Sequence, residues 1–249
     1  MDHSRRFGGI GRLYGEEALA RFGRAHLCVI GVGGVGSWAV EALARSGIGA
    51  LTLIDADHLV ESNINRQLPA LEPTLGRAKI EVLAERIAQI NPEARVTLVD
   101  DFLDQDNLTD LIDSTFDHVI DCIDQFRIKA ALIHHCRRRR IPLVVTGAAG
   151  GQMDPLRIRI SDLSRTEQDP LLARTRRLLR QQYGFSSNPR RRFQVPAVWS
   201  DEPVTAPQGR RACGTARGGG LNCAGHGACT PVTASFGMAA AAHVLRRLA

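Results

Sequence analysis

The residues most able to do chemistry lie in the first half of the chain. Gly31-Val32-Gly33-Gly34-Val35-Gly36 follows a short apolar run and precedes a helical one. Glycines let a backbone turn tightly and approach phosphates, whose charge then faces the amide groups of a helix start. Asp55 stands 19 residues after Gly36, where a ribose-binding carboxylate belongs in such a unit. Taken alone this pattern reads as dinucleotide binding. The segment after Asp55 redirects it. Arg66 and Lys79 supply cations, and Asp124 supplies a carboxylate beyond the fourth apolar run. Hydride transfer needs none of these. Transfer of an adenylyl group does, because charge builds on the α-phosphate and the departing pyrophosphate. A carboxylate such as Asp124 holds Mg²⁺ through hard oxygens. The set therefore points to ATP and Mg²⁺.

The elements that must position these groups are legible as alternating runs. Strands are expected at His26–Ile30, Leu51–Ile54, Val96–Val99, His118–Asp121 and Ile141–Thr146. Helices are expected at Ser37–Arg45, Lys79–Ile90, Asp104–Ile112 and Phe126–Arg139, the second from apolar residues at 80, 83, 87 and 90. Strands separated by helices predict an α/β fold, a Rossmann-like doubly wound and mostly parallel sheet. Beyond Gly151 the alternation of Leu156–Ile160 predicts a half-solvated strand, Leu171–Tyr183 a helix, and Pro231–Leu248 a small-residue helix. Residues 186–220, rich in Pro, Gly and Arg, are expected to be a flexible loop. The division expected is an ATP-binding adenylating domain over 1–151 and an Arg-rich extension over 152–249 on the same sheet.

Charge is distributed unevenly over the 249 residues. Residues 1–129 carry 13 Lys+Arg against 20 Asp+Glu, a net of −7; residues 130–249 carry 19 Arg against 6 acids, a net of +13. A basic half on an acidic half suggests a polyanionic partner. The candidate contacts are Arg137, Arg138, Arg139, Arg140, Arg174, Arg177, Arg190, Arg191 and Arg192. The six cysteines form no CxxC pair, so the spacing of a zinc knuckle is missing. Cys28 and Cys122 sit in apolar runs and read as small buried hydrophobes. Cys223, in a Gly-rich stretch before the last helix, could be an exposed thiol, but a sulfur-accepting role is not the reading favoured for it. No apolar run approaches the roughly 20 residues of a membrane span, although the last helix could touch a membrane surface. No signal peptide precedes the first motif, which favours the cytoplasm.

Five motifs together carry a family resemblance. They are GVGGVG at 31–36, Asp55-x-Asp57, S-N-x-x-R-Q at Ser62–Gln67, G-x-x-K at Gly76–Lys79, and D-C-x-D at Asp121–Asp124. With them the stretch from Arg6 to about Gly151 resembles the ThiF/MoeB superfamily that includes the ubiquitin-activating enzymes. The resemblance implies that Gly31, Gly33, Gly34 and Gly36 form the nucleotide turn and that Asp55, with Asp57 beside it, binds the ribose. It also implies that Asn63, Arg66, Gln67 and Lys79 hold phosphates and that Asp124 holds Mg²⁺. R-F-G-G at Arg6–Gly9, R-L-Y-G at Arg12–Gly15, T-G-A-A-G-G-Q at Thr146–Gln152 and Q-D-P at Gln168–Pro170 are similar to the tRNA threonylcarbamoyladenosine dehydratase branch. That branch uses ATP to activate the threonyl carboxylate of a modified adenosine beside the tRNA anticodon. Loss of AMP with ring closure is formally a dehydration. Related enzymes insert an N-terminal arginine from a partner subunit toward the ATP phosphates, so Arg6 and Arg12 are catalytic candidates and a homodimer is expected. A sulfur-relay protein is a further expected partner. The alternative is an activator of a ubiquitin-like sulfur carrier, acting on a protein C-terminal carboxylate.

Overall fold

A computed structural model describes residues 2–206 and 226–249. Two helices, α1 (His3–Tyr14) and α2 (Glu16–Arg24), lead into β1 (His26–Ile30). Then come α3 (Gly36–Arg45), β2 (Ala50–Ile54), α4 (Lys79–Ile90), β3 (Arg95–Val99), α5 (Leu108–Leu111), β4 (His118–Asp121), α6 (Phe126–Arg139) and β5 (Leu143–Thr146). The chain closes with β6 (Ile158–Asp162), α7 (Pro170–Gln182), β7 (Pro196–Ser200) and α8 (Thr230–Leu248). The seven strands form one sheet in the order β3-β2-β1-β4-β5-β7-β6. Every pair is parallel except β6 with β7. The fold is thus the expected doubly wound, mostly parallel α/β sheet.

Alternation along each strand builds a core on either face. Leu27 and Val29 pack with α2, α3, α4 and α8, while Cys28 and Ile30 pack with α5, α6 and α7. Strand order reverses between β1 and β4, and there the carboxyl ends of the strands open a crevice.

Helices α1 and α2 were not among the expected elements, β5 begins at Leu143 rather than Ile141, and three further elements differ from the sequence expectation. Residues 196–200, expected within a loop, are β7, a central strand between β5 and β6. Its Ala197, Val198, Trp199 and Ser200 are buried, and Pro196 takes the first position, where its missing N–H does least harm. The expected helix 104–112 shrinks to α5. Asp104 Oδ1 accepts the amides of Asp106 and Asn107, a local turn that competes with the helix until Leu108. Strand β6 starts two residues late because Asp154 Oδ1 accepts the Leu156 amide and closes a 3₁₀ turn over Pro155–Arg157.

Helix α8 explains its own composition. A Cβ on Gly237 would come 2.4 Å from Val35 O at the start of α3, so the two helices lie closer than larger residues permit. Val232, Phe236, Ala240, Ala241 and Val244 are buried by that packing. Most of the apolar face of α8 is therefore covered by the rest of the fold, while Met238 is exposed. No described helix is long and apolar enough to cross a membrane. Cys223 lies outside the described residues.

Candidate active site

The crevice at the carboxyl edge holds a cavity of about 310 Å³. Its floor is the glycine turn. Gly31 sits at φ +78°, and Gly36 lies against Gly31 O, where a Cβ would come within 2.0 Å. Gly31, Gly33 and Gly34 line the cavity; Gly36 stands beneath them and makes the tight turn possible. Asp55, at the end of β2, clamps this turn: its Oδ2 accepts the Val32 amide at 2.8 Å and its Oδ1 the Asp57 amide at 2.9 Å.

Lys79 opens α4 and is buried. Its Nζ stands 2.5 Å from Asp57 Oδ2 and 3.9 Å from Asp55 Oδ1. Burial holds the Asp55 carboxyl above its usual range, and the Lys79 ammonium pulls it back down. A cation already facing two carboxylates is ready to exchange one of them for an anionic ligand. The connection between Asp57 and α4 places the remaining phosphate candidates. Arg66 donates to Ser62 O at 2.6 Å and Asn65 Oδ1 at 2.9 Å, and its backbone carbonyl accepts Trp38 Nε1. Asn63 Oδ1 accepts the Val60 amide. Gln67 is buried with its Oε1 unpartnered among the described residues, although it faces the cavity.

The opposite wall comes from β4 and β5. Asp124 lies here, half-buried, and its carboxylate takes no hydrogen bond or ion pair from the described residues. Below it Lys129 Nζ pairs with Asp121 Oδ2 at 2.8 Å, both side chains fully buried. Asp169, the N-cap of α7, accepts the amides of Leu172 and Ala148 at 2.9 and 3.0 Å. A Cβ on Gly147 would strike Asp169 Oδ2 at 1.8 Å. Asp169 thus fixes the loop Gly147–Ala149, which lines the cavity. Burial raises both acids' pKa values; Lys129 opposes this at Asp121, as do the two bound amides at Asp169. Cys122, at the same wall, is pushed up to about 12 by burial and is a thiol, as its apolar run suggested.

Ten candidates therefore converge on one cavity: Gly31, Gly33, Gly34, Asp55, Asp57, Asn63, Arg66, Gln67, Lys79 and Asp124. The sequence reading missed Phe102, which lines the mouth while 56% exposed. Its amide donates to Asp101 Oδ1 and its carbonyl accepts Asn107 Nδ2, so the backbone turns the ring outward. An aromatic in an otherwise acidic turn, D-D-F-L-D, was the signal available.

Arg6 and Arg12 line no part of this cavity within the chain. Arg6 Nη1 donates to Gln89 O and Ile90 O at the end of α4, while Arg12 is exposed and unpaired among the described residues. The nine candidate polyanion contacts are all exposed. Arg137–Arg140 and Arg190–Arg192 stand at the amino edge of the sheet, away from the crevice, because α6 ends there and β7 begins there.

Fold and site together define a nucleotide-binding α/β protein whose cavity is lined by Arg66 and Lys79. The ThiF family model matches residues 8–249, and the chain belongs to that family. It is 52% identical over 248 residues to the tRNA threonylcarbamoyladenosine dehydratase of Haemophilus influenzae, covering 99% of this chain and 94% of the relative. The crystal structure of the E. coli tRNA N6-threonylcarbamoyladenosine dehydratase in complex with ATP superposes with a TM-score of 0.89 at 50% identity, over 98% and 94% of the two chains. The molybdopterin-synthase adenylyltransferase of Salmonella typhimurium is 38% identical over 135 residues, 54% of this chain and 52% of that protein.

Proposed function

We propose that this chain is an ATP-dependent tRNA threonylcarbamoyladenosine dehydratase. The observation that carries the reading is the convergence of Asp55, Arg66, Lys79 and Asp124 on one cavity. The similarity over almost the whole chain to relatives of that name, one of them in complex with ATP, supports the substrate. In this reading Asp55 holds the ribose and the Gly31–Gly34 turn cradles phosphates. Asn63, Arg66, Gln67 and Lys79 contact phosphate oxygens. The threonyl carboxylate attacks the α-phosphorus, pyrophosphate leaves, and Arg66 and Lys79 offset the charge that develops. Attack within the modified nucleoside on the acyl carbon then closes the ring and releases AMP. No enzyme nucleophile is required, in keeping with Cys122 at the cavity wall being held as a thiol.

Asp124 suits Mg²⁺, because its carboxylate is free at the cavity wall. The described residues hold no cluster of three or more acidic, His or Cys ligands, so the ion would share Asp124 with phosphate oxygens and water. Mg²⁺ bound there would neutralise phosphate charge in the chemical step. We read the active species as a homodimer in which Arg12 reaches the partner's phosphates, since Arg6 already caps α4. Residues 1–151 would supply most of the nucleotide site, and the tRNA would meet the arginines of 137–140 together with those of 152–249, with a sulfur-relay protein as a further partner. The compartment is the cytoplasm, where tRNA is found.

The test is nucleoside mass spectrometry. Protein, ATP, Mg²⁺ and tRNA carrying threonylcarbamoyladenosine should yield a nucleoside lighter by one water, and Asp124→Ala should abolish that product. An unchanged mass with folded protein would sink the reading and turn attention to a protein carboxylate.

A further inference from the structure

The arginines of the second half are arranged by the fold in a way their positions in the sequence do not reveal. Helix α7 begins at the cavity, where Leu171 lines the wall and Asp169 binds the Gly147–Ala149 loop. It then runs the length of the sheet. Arg174 and Arg177 are exposed at i and i+3 on the same side of this helix. The two other arginines of α7 are used structurally: Arg176 donates to Thr166 Oγ1, and Arg180 lies over the Phe193 ring. At the amino edge Arg137 Nη2 donates to Gln194 Oε1 at 2.9 Å and joins the end of α6 to the segment 190–194. Arg137–Arg140 and Arg190–Arg192 meet there. Beside them His134 and Tyr183 stack at 4.8 Å, and with Arg138 and Arg139 they line a second cavity of about 400 Å³.

Ion pairing separates these arginines from a second set. Arg5, Arg21, Arg45, Arg77, Arg86 and others each face a carboxylate. None of Arg137–Arg140, Arg174, Arg177 and Arg190–Arg192 forms an ion pair among the described residues. The nearby carboxylate of Asp162 is occupied by the amides of Ser164, Phe193 and Val195. An unneutralised basic surface beside a half-buried His134–Tyr183 ring pair fits an RNA backbone and its bases. Helix α6 alone has 14 residues, which places the amino edge roughly 20 Å from the crevice at 1.5 Å per residue.

We propose that Arg137–Arg140 and Arg190–Arg192 form a second RNA-binding surface at the amino edge, joined to the active site by a basic track along α7. The enzyme thus grips its tRNA at two places, the target nucleoside in the crevice and a distant stretch of backbone behind the sheet. This rests on the tRNA reading of the active site.

The experiment compares wild type with Arg138→Glu/Arg191→Glu, by anisotropy and turnover, on full-length modified tRNA and on a trinucleotide carrying the same modified adenosine. The variant should bind tRNA at least tenfold more weakly near 150 mM salt. Its slope of log affinity against log salt should be shallower by about one for each phosphate it no longer neutralises. Trinucleotide affinity and the KM for ATP should stay within twofold. Unchanged tRNA binding, or an equal loss on the trinucleotide, would overturn the second surface. So would a variant that binds tRNA normally yet no longer sediments with phosphatidylserine vesicles. If the double variant fails to fold, Arg191→Glu alone, outside any helix, decides on the same criteria. Wild type that binds tRNA without removing water from it would sink the dehydratase reading and leave the surface standing; wild type that binds no tRNA would end both.

Discussion

Lys79 is the residue on which the proposed phosphate site turns. Its ammonium is buried between Asp55 and Asp57, so it is held by charges that an incoming nucleotide can replace. Lys79→Met should cut ATP–pyrophosphate exchange by at least two orders of magnitude, the scale of losing one fixed donor to a developing oxyanion. Lys79→Arg should rescue little, because a planar fork does not fit a slot shaped for a point charge. Full exchange activity in Lys79→Met would remove it from the phosphate site. At this scale the sequence was informative for charged groups, since Asp55, Arg66, Lys79 and Asp124 all reach the cavity. It was less so for Phe102 and for the Lys129–Asp121 pair. An aromatic or a lysine in an apolar stretch looks the same whether it faces solvent, ligand or a buried carboxylate.

Among the elements, β4 and α8 are joined by a titratable contact. His118 on β4 is buried and its ring lies 6.2 Å from that of His243 on α8. Burial, with a smaller contribution from the positive groups His243 and Arg247 against a bond to Val119 O, lowers the His118 pKa to about 4. The folded pKa lies below the unfolded value near 6.5. The stabilisation is therefore complete above about pH 6.5 and is lost as pH falls toward 4. By about 1.4 kcal/mol per pH unit the loss reaches at most roughly 3 kcal/mol. Thermal melts should show Tm falling across that window, and His118→Gln should flatten the fall. An equally steep decline in the variant would assign it to other groups. Most of β1–β5 was legible as apolar runs between helical ones. The strand β7 was not, because a five-residue run inside Pro-, Gly- and Arg-rich sequence resembles a loop until β5 and β6 pair with its edges and the two cores cover its faces.

For the whole molecule, the decisive question is what a second copy contributes. Arg12 is exposed and outside its own chain's cavity, so a role at the phosphates requires another subunit. Light scattering should give twice the 27.1 kDa chain mass. Mixing inactive Arg12→Ala with inactive Asp124→Ala protein should restore activity, up to about a quarter of wild type by random assortment into dimers. A monomeric active species, or no recovery on mixing exchanged subunits, would return the search to this chain's own cations. The sequence by itself determined the fold class, the nucleotide turn and the charged residues of the cavity, because each depends on local spacing: a strand, a tight turn, a helix start and a side chain at a known offset. Only the tertiary structure decided where the second half goes. Parallel connections carry α6 to the amino edge and start β7 there, so arginines distant in sequence share one surface away from the crevice, and α8 buries its apolar face against α3.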